Sequence, residues 1–264
     1  MKTKKRDQKA KAQCQCDPNC RSQPLPGSPF CAVHQRSCPR RSPLTGYEPK
    51  YDPAYYNGTR RVRESHNCFA YAFNHVEMPP EAECNEESCV TPFHQPGRKS
   101  GYPKWSKSHG KRCPDLLARL KADVPELRTA GFTQRCPAGT SKIALVIAPD
   151  KCGNQLERKR PCPEAKNGDY HFYRQDSNGF WSHKPGATAV TNKDAEGRPI
   201  YDPALASRDY GDRLNYKWFC SYLCAPKRGR LTFKRGGKGR RPSRVGRSRR
   251  LIRASRARRA PTSL

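Results

Sequence analysis

The stretch YHFYRQDSNGFWSHK, from Tyr170 to Lys184, decides how the chain folds. Its arms, YHFYRQ and FWSHK, are rich in aromatic residues, and DSNG between them puts Gly179 at the left-handed position of a type I turn with a bulge. If the loop is Ser177-Asn178-Gly179, Asp176 faces Phe180, and counting back along both arms sets Tyr173 opposite His183. Side chains alternate across a sheet, so His171, Tyr173, Trp181 and His183 share one face, with the two histidines diagonal neighbours within side-chain reach. A slip of one residue would send His183 to the other face.

Working outward, KIALVIA reads as a strand over 142–148, and DRLNYKWFCSYLC ends the segment as a closing strand. In HNCFAYAFNH, residues 66–75, Phe69, Ala72 and Phe73 fall at i, i+3 and i+4, the apolar stripe of a helix over 67–76, with Asn67 or Ser65 as its cap. A second helix is expected over 114–121, with irregular loops over 78–112 and 149–168. Helices followed by strands, with no βαβ alternation, give an α+β domain with an antiparallel sheet, placed at 60–225. There is no internal repeat.

Composition sets the surroundings of that domain. The 264 residues are 34% hydrophobic and carry a net charge of +30. That charge concentrates in a basic arm, 1–13, and a basic tail, 226–264, which has no acidic residue. Like charges at this density repel and bury little apolar surface, so both ends are expected to be disordered in isolation and to seek a polyanion. With one aromatic residue, Phe233, and no base-reading module, the tail suits sequence-independent, salt-sensitive contact with nucleic acid, an import address, or threading along acidic faces of neighbouring subunits. A Pro- and Tyr-rich segment, 39–59, reads as a linker. No run approaches a transmembrane helix and the N-terminus lacks a signal peptide's apolar core, which places the protein inside a cell or a particle, with no membrane span.

Fourteen cysteines compete for three uses: metal ligation, one catalytic thiol, and disulfides. In CQCDPNCRSQPLPGSPFCAVHQRSC, residues 14–38, Cys16, Cys20, Cys31 and His34 give C-x3-C and C-x2-H, two short chelating turns that can close on one tetrahedral zinc. So small a knuckle has no hydrophobic core, and metal would be what folds it. Cys14 can replace Cys16 as a ligand, and Cys38 can replace another. The stretch from Cys20 to His34 resembles a short cysteine/histidine motif of large DNA virus proteins, although the first spacing is shorter here than in that motif.

Cys68 begins the helix of HNCFAYAFNH, where unpaired backbone N–H groups stabilise a thiolate. With a histidine to carry its proton and a third group to orient the imidazole, such a cysteine performs acyl transfer. NCFAYAF followed by DYHFYRQDSNGFWSHKPG resembles the papain-like NlpC and CHAP superfamily, and with QPGRKSG at 95–101 it also resembles an uncharacterised family of giant viruses and some bacteria, over residues 65–225. The resemblance implies a papain-like small domain in which Cys68 is nucleophile, His171 base and His183 orienting residue, acting on a peptide or amide. Asp169 or Asp209 can stand in for His183. The helix is then expected to pack on the histidine face of the sheet, with the thiol within about 4 Å of a His171 nitrogen. Taken singly, Cys68 reads first as a buried structural cysteine and His171 as a hydrogen-bonded core residue, while His183 reads equally as a surface residue. His66, His75, His94 and His109 have no evident geometry. Cys84, Cys89, Cys136, Cys152, Cys162, Cys220 and Cys224 can form disulfides or a second metal site.

Two functions follow: a cysteine amidase or peptidase with zinc- and nucleic-acid-binding appendages, or a catalytically inactive virion component, a minor capsid or packaging protein held by its basic tail. Both imply a virion location, with the host cytoplasm or nucleus during assembly.

Overall fold

A five-stranded antiparallel sheet in the order β1-β5-β2-β3-β4 organises the computed structural model, which describes residues 12–105, 113–148, 169–211, 214–227 and 233–235. The strands are β1 Arg128–Ala130, β2 Thr140–Ala148, β3 Asp169–Gln175, β4 Trp181–His183 and β5 Trp218–Pro226. The helices are α1 Ala32–Arg36, α2 Pro53–Asn57, α3 Arg60–Ser65, α4 Cys68–Ala72 and α5 Cys113–Asp123. The protein is therefore α+β, as its element order implies.

The hairpin has the expected register: Tyr173 pairs with His183, Gly179 has φ 86°, and Asp176 N–H donates to Phe180 O at 2.8 Å. β2 is central and buried on both faces, which is why KIALVIA is a continuous apolar run rather than an alternating one. Its odd-numbered residues Ile143, Leu145 and Ile147 meet Phe69, Phe73, Leu116, Leu120, Tyr170 and Phe172 on the helical face. Its even-numbered residues Ala144, Val146 and Ala148 meet Tyr173, Trp181, Ile200, Tyr216 and Tyr222 on the other, which is covered by loops instead of helices. Where β2 pairs with β5 the register shifts, so that Leu145 faces Ser221 and Val146 faces Phe219. Cys220 is the extra residue of that bulge.

Helix α4 is shorter than the pattern over 67–76 suggests. Asn67 caps it by accepting from Ala70 N–H at 3.2 Å. Asn74, at φ 49°, ends it in a left-handed turn, with Asn74 N–H on Tyr71 O and His75 N–H on Ala70 O, the paired closure of a Schellman motif.

Four disulfides join the described residues: Cys16–Cys38, Cys84–Cys89, Cys113–Cys220 and Cys136–Cys224. The last two hold β5 from opposite sides, since Cys113 and Cys220 pack with the helical face whereas Cys224 shares the parity of Tyr222.

Two expected boundaries move. Residues 39–59 are packed against the body and are not a free linker: Arg40 pairs with Asp202, buried Lys142 donates to Ser42 Oγ at 3.0 Å, Thr45 Oγ1 to Thr140 O at 2.6 Å, and Tyr56 is buried beside Tyr71. The tail, expected to leave the domain at residue 226, returns to it. Phe233 is buried against Phe69, Phe73 and His75, and Arg235 donates to the carbonyls of Ser65, Pro92 and Glu77. A large ring finds a slot between helix and loop, and that outweighs the charge around it. The basic arm at 1–11, the loop 149–168 with Cys152 and Cys162, His109, and the basic run 236–264 lie outside the described residues.

Candidate metal centre

The buried cluster of the N-terminal knuckle is built from cysteines, Cys14, Cys16 and Cys31, with Cys20, Phe30 and Cys38 packed against them. Cys14, Cys20, Cys31 and His34 bring three sulfurs and one nitrogen within 4.8 Å of one another, close enough to hold a metal ion. Cys20 and Cys31 sulfurs are 3.8 Å apart, and His34 Nδ1 lies 3.4 Å from both Cys14 and Cys31. His34 reaches the group because α1 begins at Ala32, directly after Cys31, and carries it one turn back over that cysteine. Burial raises the Cys14 thiol. Burial pushes Cys31 the same way, but hydrogen bonds from the His34 and Val33 backbone and from the neighbouring thiols outweigh it and bring Cys31 down to about 7.

The expected set is corrected at its first member. Cys16 is bonded to Cys38, and Cys14 takes its place beside the other three. The backbone between them explains this division. Gln15 is buried, accepts from the N–H groups of Tyr201 and Asp202, and donates its own N–H to Pro29 O, fixing a bend that separates the two cysteines. Cys31 N–H then donates to Cys14 Sγ at 3.4 Å.

The expected Cys68–His171–His183 constellation is only half assembled. His171 Nε2 lies 2.8 Å from His183 Nδ1, as the hairpin register requires. His183 Nε2 faces Lys193 O at 2.9 Å, so it carries the proton, and Nδ1 must accept from His171 Nε2–H. Burial holds His171 well below its ordinary value and brings His183 down to about 4. The pair is neutral, with fixed tautomers.

Cys68 lies on the other side of the sheet. Strand β3 alternates, so α4 rests on Tyr170 and Phe172, while His171 and Tyr173 point away from it. The thiol approaches Tyr170 O at 3.9 Å, and burial, reinforced by the charge of Asp169, pushes it up to about 12. A cavity of about 240 Å³ beside it is lined by Asn67, Gln95, Trp105, Asp169 and Tyr170 among others, with no histidine among its described walls. The expected approach of the thiol to His171 is therefore corrected: α4 packs through Phe69 and Phe73 on the Phe172 side of β3, opposite His171. Asp169, the alternative orienting group, accepts from Tyr216 Oη at 2.7 Å, and Asp209 accepts from Gly211 N–H in a turn.

A second group escaped the sequence reading. His75, Glu77 and His94 also bring their ligand atoms within 4.8 Å of one another. The spacing His75-x-Glu77 was visible in the sequence, whereas His94 joins it only through the fold.

Among the described residues no helix is long and apolar enough to cross a membrane. No family model and no solved structure matches this chain. It is 32% identical over 170 residues, which are 64% of this chain and 86% of the relative, to insoluble matrix shell protein 1 of Ruditapes philippinarum.

Proposed function

This chain belongs to the family of insoluble matrix shell protein 1, and from that premise we propose that it is a non-catalytic structural protein of a cross-linked assembly. The observation that carries the proposal is the sheet between Cys68 and the histidine pair: the free thiol best placed for chemistry is buried and protonated, with no histidine among the described walls of its cavity. Meanwhile two disulfides clamp β5, one on each face. The relative's name describes a matrix component, and a chain closed by covalent bridges suits a place in a permanent material.

The knuckle is the zinc-binding part of this reading. A tetrahedral zinc with sulfur arms of about 2.3 Å has sulfur–sulfur edges of about 3.8 Å, and sulfur–nitrogen edges of about 3.5 Å when the nitrogen arm is about 2.0–2.1 Å. The 3.8 Å between Cys20 and Cys31 and the 3.4 Å from His34 to two sulfurs fit those edges. Zinc there would fix the N-terminal segment to the body through Gln15. The basic run 236–264 would supply a sequence-independent contact to a polyanion, either nucleic acid or the acidic face of a neighbouring subunit. A minor component of a viral particle is one assembly of this kind. Kinship with papain-like NlpC and CHAP domains rests on α4 lying across an antiparallel sheet with a cysteine at its start, and it would be kinship of scaffold without turnover.

The test is a reactive-thiol probe on the full chain. Cys68 should resist labelling at neutral pH and react once the protein is unfolded. Rapid labelling of the native protein, lost in His171→Ala, would restore the amidase reading and overturn this one.

A further inference from the structure

We infer that His75, Glu77 and His94 form a second metal site, one that binds a divalent first-row transition cation of the zinc or cobalt class through two imidazoles and one carboxylate. Glu77 Oε2 lies 2.8 Å from His94 Nε2 and 3.5 Å from His75 Nε2. A tetrahedral ion with arms of about 2.0–2.1 Å to nitrogen and oxygen has edges of about 3.3 Å, between those two distances. Small rotations of the rings and the carboxylate would equalise them. Glu77 is half exposed while His94 is fully buried, so an ion held here would keep its remaining coordination position toward solvent, for water or an anionic group. One carboxylate and two imidazoles suit zinc, cobalt or nickel; calcium, which takes six to eight oxygens, would find a single donor residue of its kind.

Three chain segments meet at the site, and each is held independently of any metal. The Schellman closure of α4 delivers His75. The Glu77 backbone is fixed at both ends: its N–H donates to His66 Nε2 at 3.1 Å and its carbonyl accepts from Arg235 at 2.8 Å. His94 is anchored by its own carbonyl, which accepts from Asn67 Nδ2 at 3.0 Å, and it bridges to Arg235 across paired backbone. His94 Nε2 donates to Glu77 Oε2 at 2.8 Å, whereas His94 Nδ1 is buried with no hydrogen-bond partner among the described residues, so an ion that displaces the Nε2 proton leaves Nδ1 free to carry the proton of the neutral ring. A bound ion would thus join the end of α4 to the 94–95 strand bridge and, through Arg235 and the Phe233 ring on His75, to the root of the basic tail.

The test uses the full chain loaded with Co2+ and compares it with Glu77→Gln, His94→Asn and Cys31→Ser. The wild type should take a second equivalent beyond the thiolate centre. Glu77→Gln and His94→Asn should lose that equivalent while keeping the sulfur-to-cobalt charge-transfer absorption, and Cys31→Ser should lose the absorption and keep the other ion. Circular dichroism of each variant separates loss of a ligand from loss of fold; because Glu77 is half exposed, Glu77→Gln should stay folded. Unchanged stoichiometry in a folded Glu77→Gln protein, or a wild type that binds cobalt only through sulfur, would overturn the proposal.

Discussion

Replacing Cys136 and Cys224 by alanine removes the bridge between the loop before β2 and strand β5, and its cost follows from the topology. That bridge closes 88 residues and Cys113–Cys220 closes 107, so the chain-entropy relation gives each, alone, about 4.5–5 kcal/mol. The two loops overlap, however. With Cys113–Cys220 intact, the shortest path from 136 to 224 runs back to 113, across the bridge and on from 220, about 27 residues, and removing the second bridge then costs only about 3.5 kcal/mol. Either pair removed first should therefore cost about 3.5 kcal/mol, and the remaining pair about 1 kcal/mol more than that when it follows. Guanidinium unfolding of the four proteins under non-reducing conditions, with metal content held constant, measures the cycle, and the m-value should rise as the unfolded chain expands. A first removal costing under about 1 kcal/mol would refute the argument. So would a cycle in which the second removal is the cheaper one, because overlapping loops admit only the opposite sign.

The remaining expectations concern the metal, the thiol, the histidines and the tail. Elemental analysis should find zinc lost from Cys14→Ser and Cys31→Ser but retained in Cys16→Ser; retention in Cys14→Ser would return the first ligand to Cys16. With its pKa at about 12, Cys68 is thiolate in only about one molecule in ten thousand at pH 8, so alkylation of the native protein should stay negligible there, and fast alkylation would contradict the burial. His66, His94 and His183 are each held at about 4 against an ordinary 6.5, so the unfolded chain binds their protons first. Their stability contribution is complete above pH 6.5 and is lost as pH falls toward 4, each by up to about 1.4 kcal/mol per unit, and His183→Gln should flatten that slope. Truncation after Arg235 should abolish most binding to nucleic acid without lowering the melting temperature, whereas truncation after Pro226 should lower it by removing Phe233 from the core.

The sheet was legible because its signals are local. DSNG with Gly179 fixes one register, that register fixes Tyr173 opposite His183, and the histidine contact follows by counting. The buried run at Ile143–Ala148 and the Asn67 cap depend likewise on neighbours in sequence. What was not legible depends on partners far along the chain. Nothing in CQC tells Cys14 from Cys16, because the choice is made by Gln15 reaching Tyr201 and Asp202. Phe233 looks like part of a solvated basic tail until the slot between Phe69 and Phe73 exists to receive it.

The misplaced helix carries the functional lesson. Amphipathic periodicity says that α4 has a buried face, but not which side of a sheet will bury it. Strand β3 offered two sides: Tyr170 and Phe172 on one, His171 and Tyr173 on the other. Phe69 packs at 5.6 Å on Phe172 and Phe73 at 6.4 Å, and each large apolar side chain buried this way contributes about 1.5–3 kcal/mol, whereas the histidine face would have set those rings against polar nitrogens. The apolar match decides the side, and the thiol at the helix start goes with it. The histidines left behind satisfy each other, His171 donating to His183 and His183 to Lys193 O, which removes the last demand for a cysteine on their face. The sheet thus stands between Cys68 and the histidine pair, while Cys113–Cys220 and Cys136–Cys224 hold β5 from its two faces.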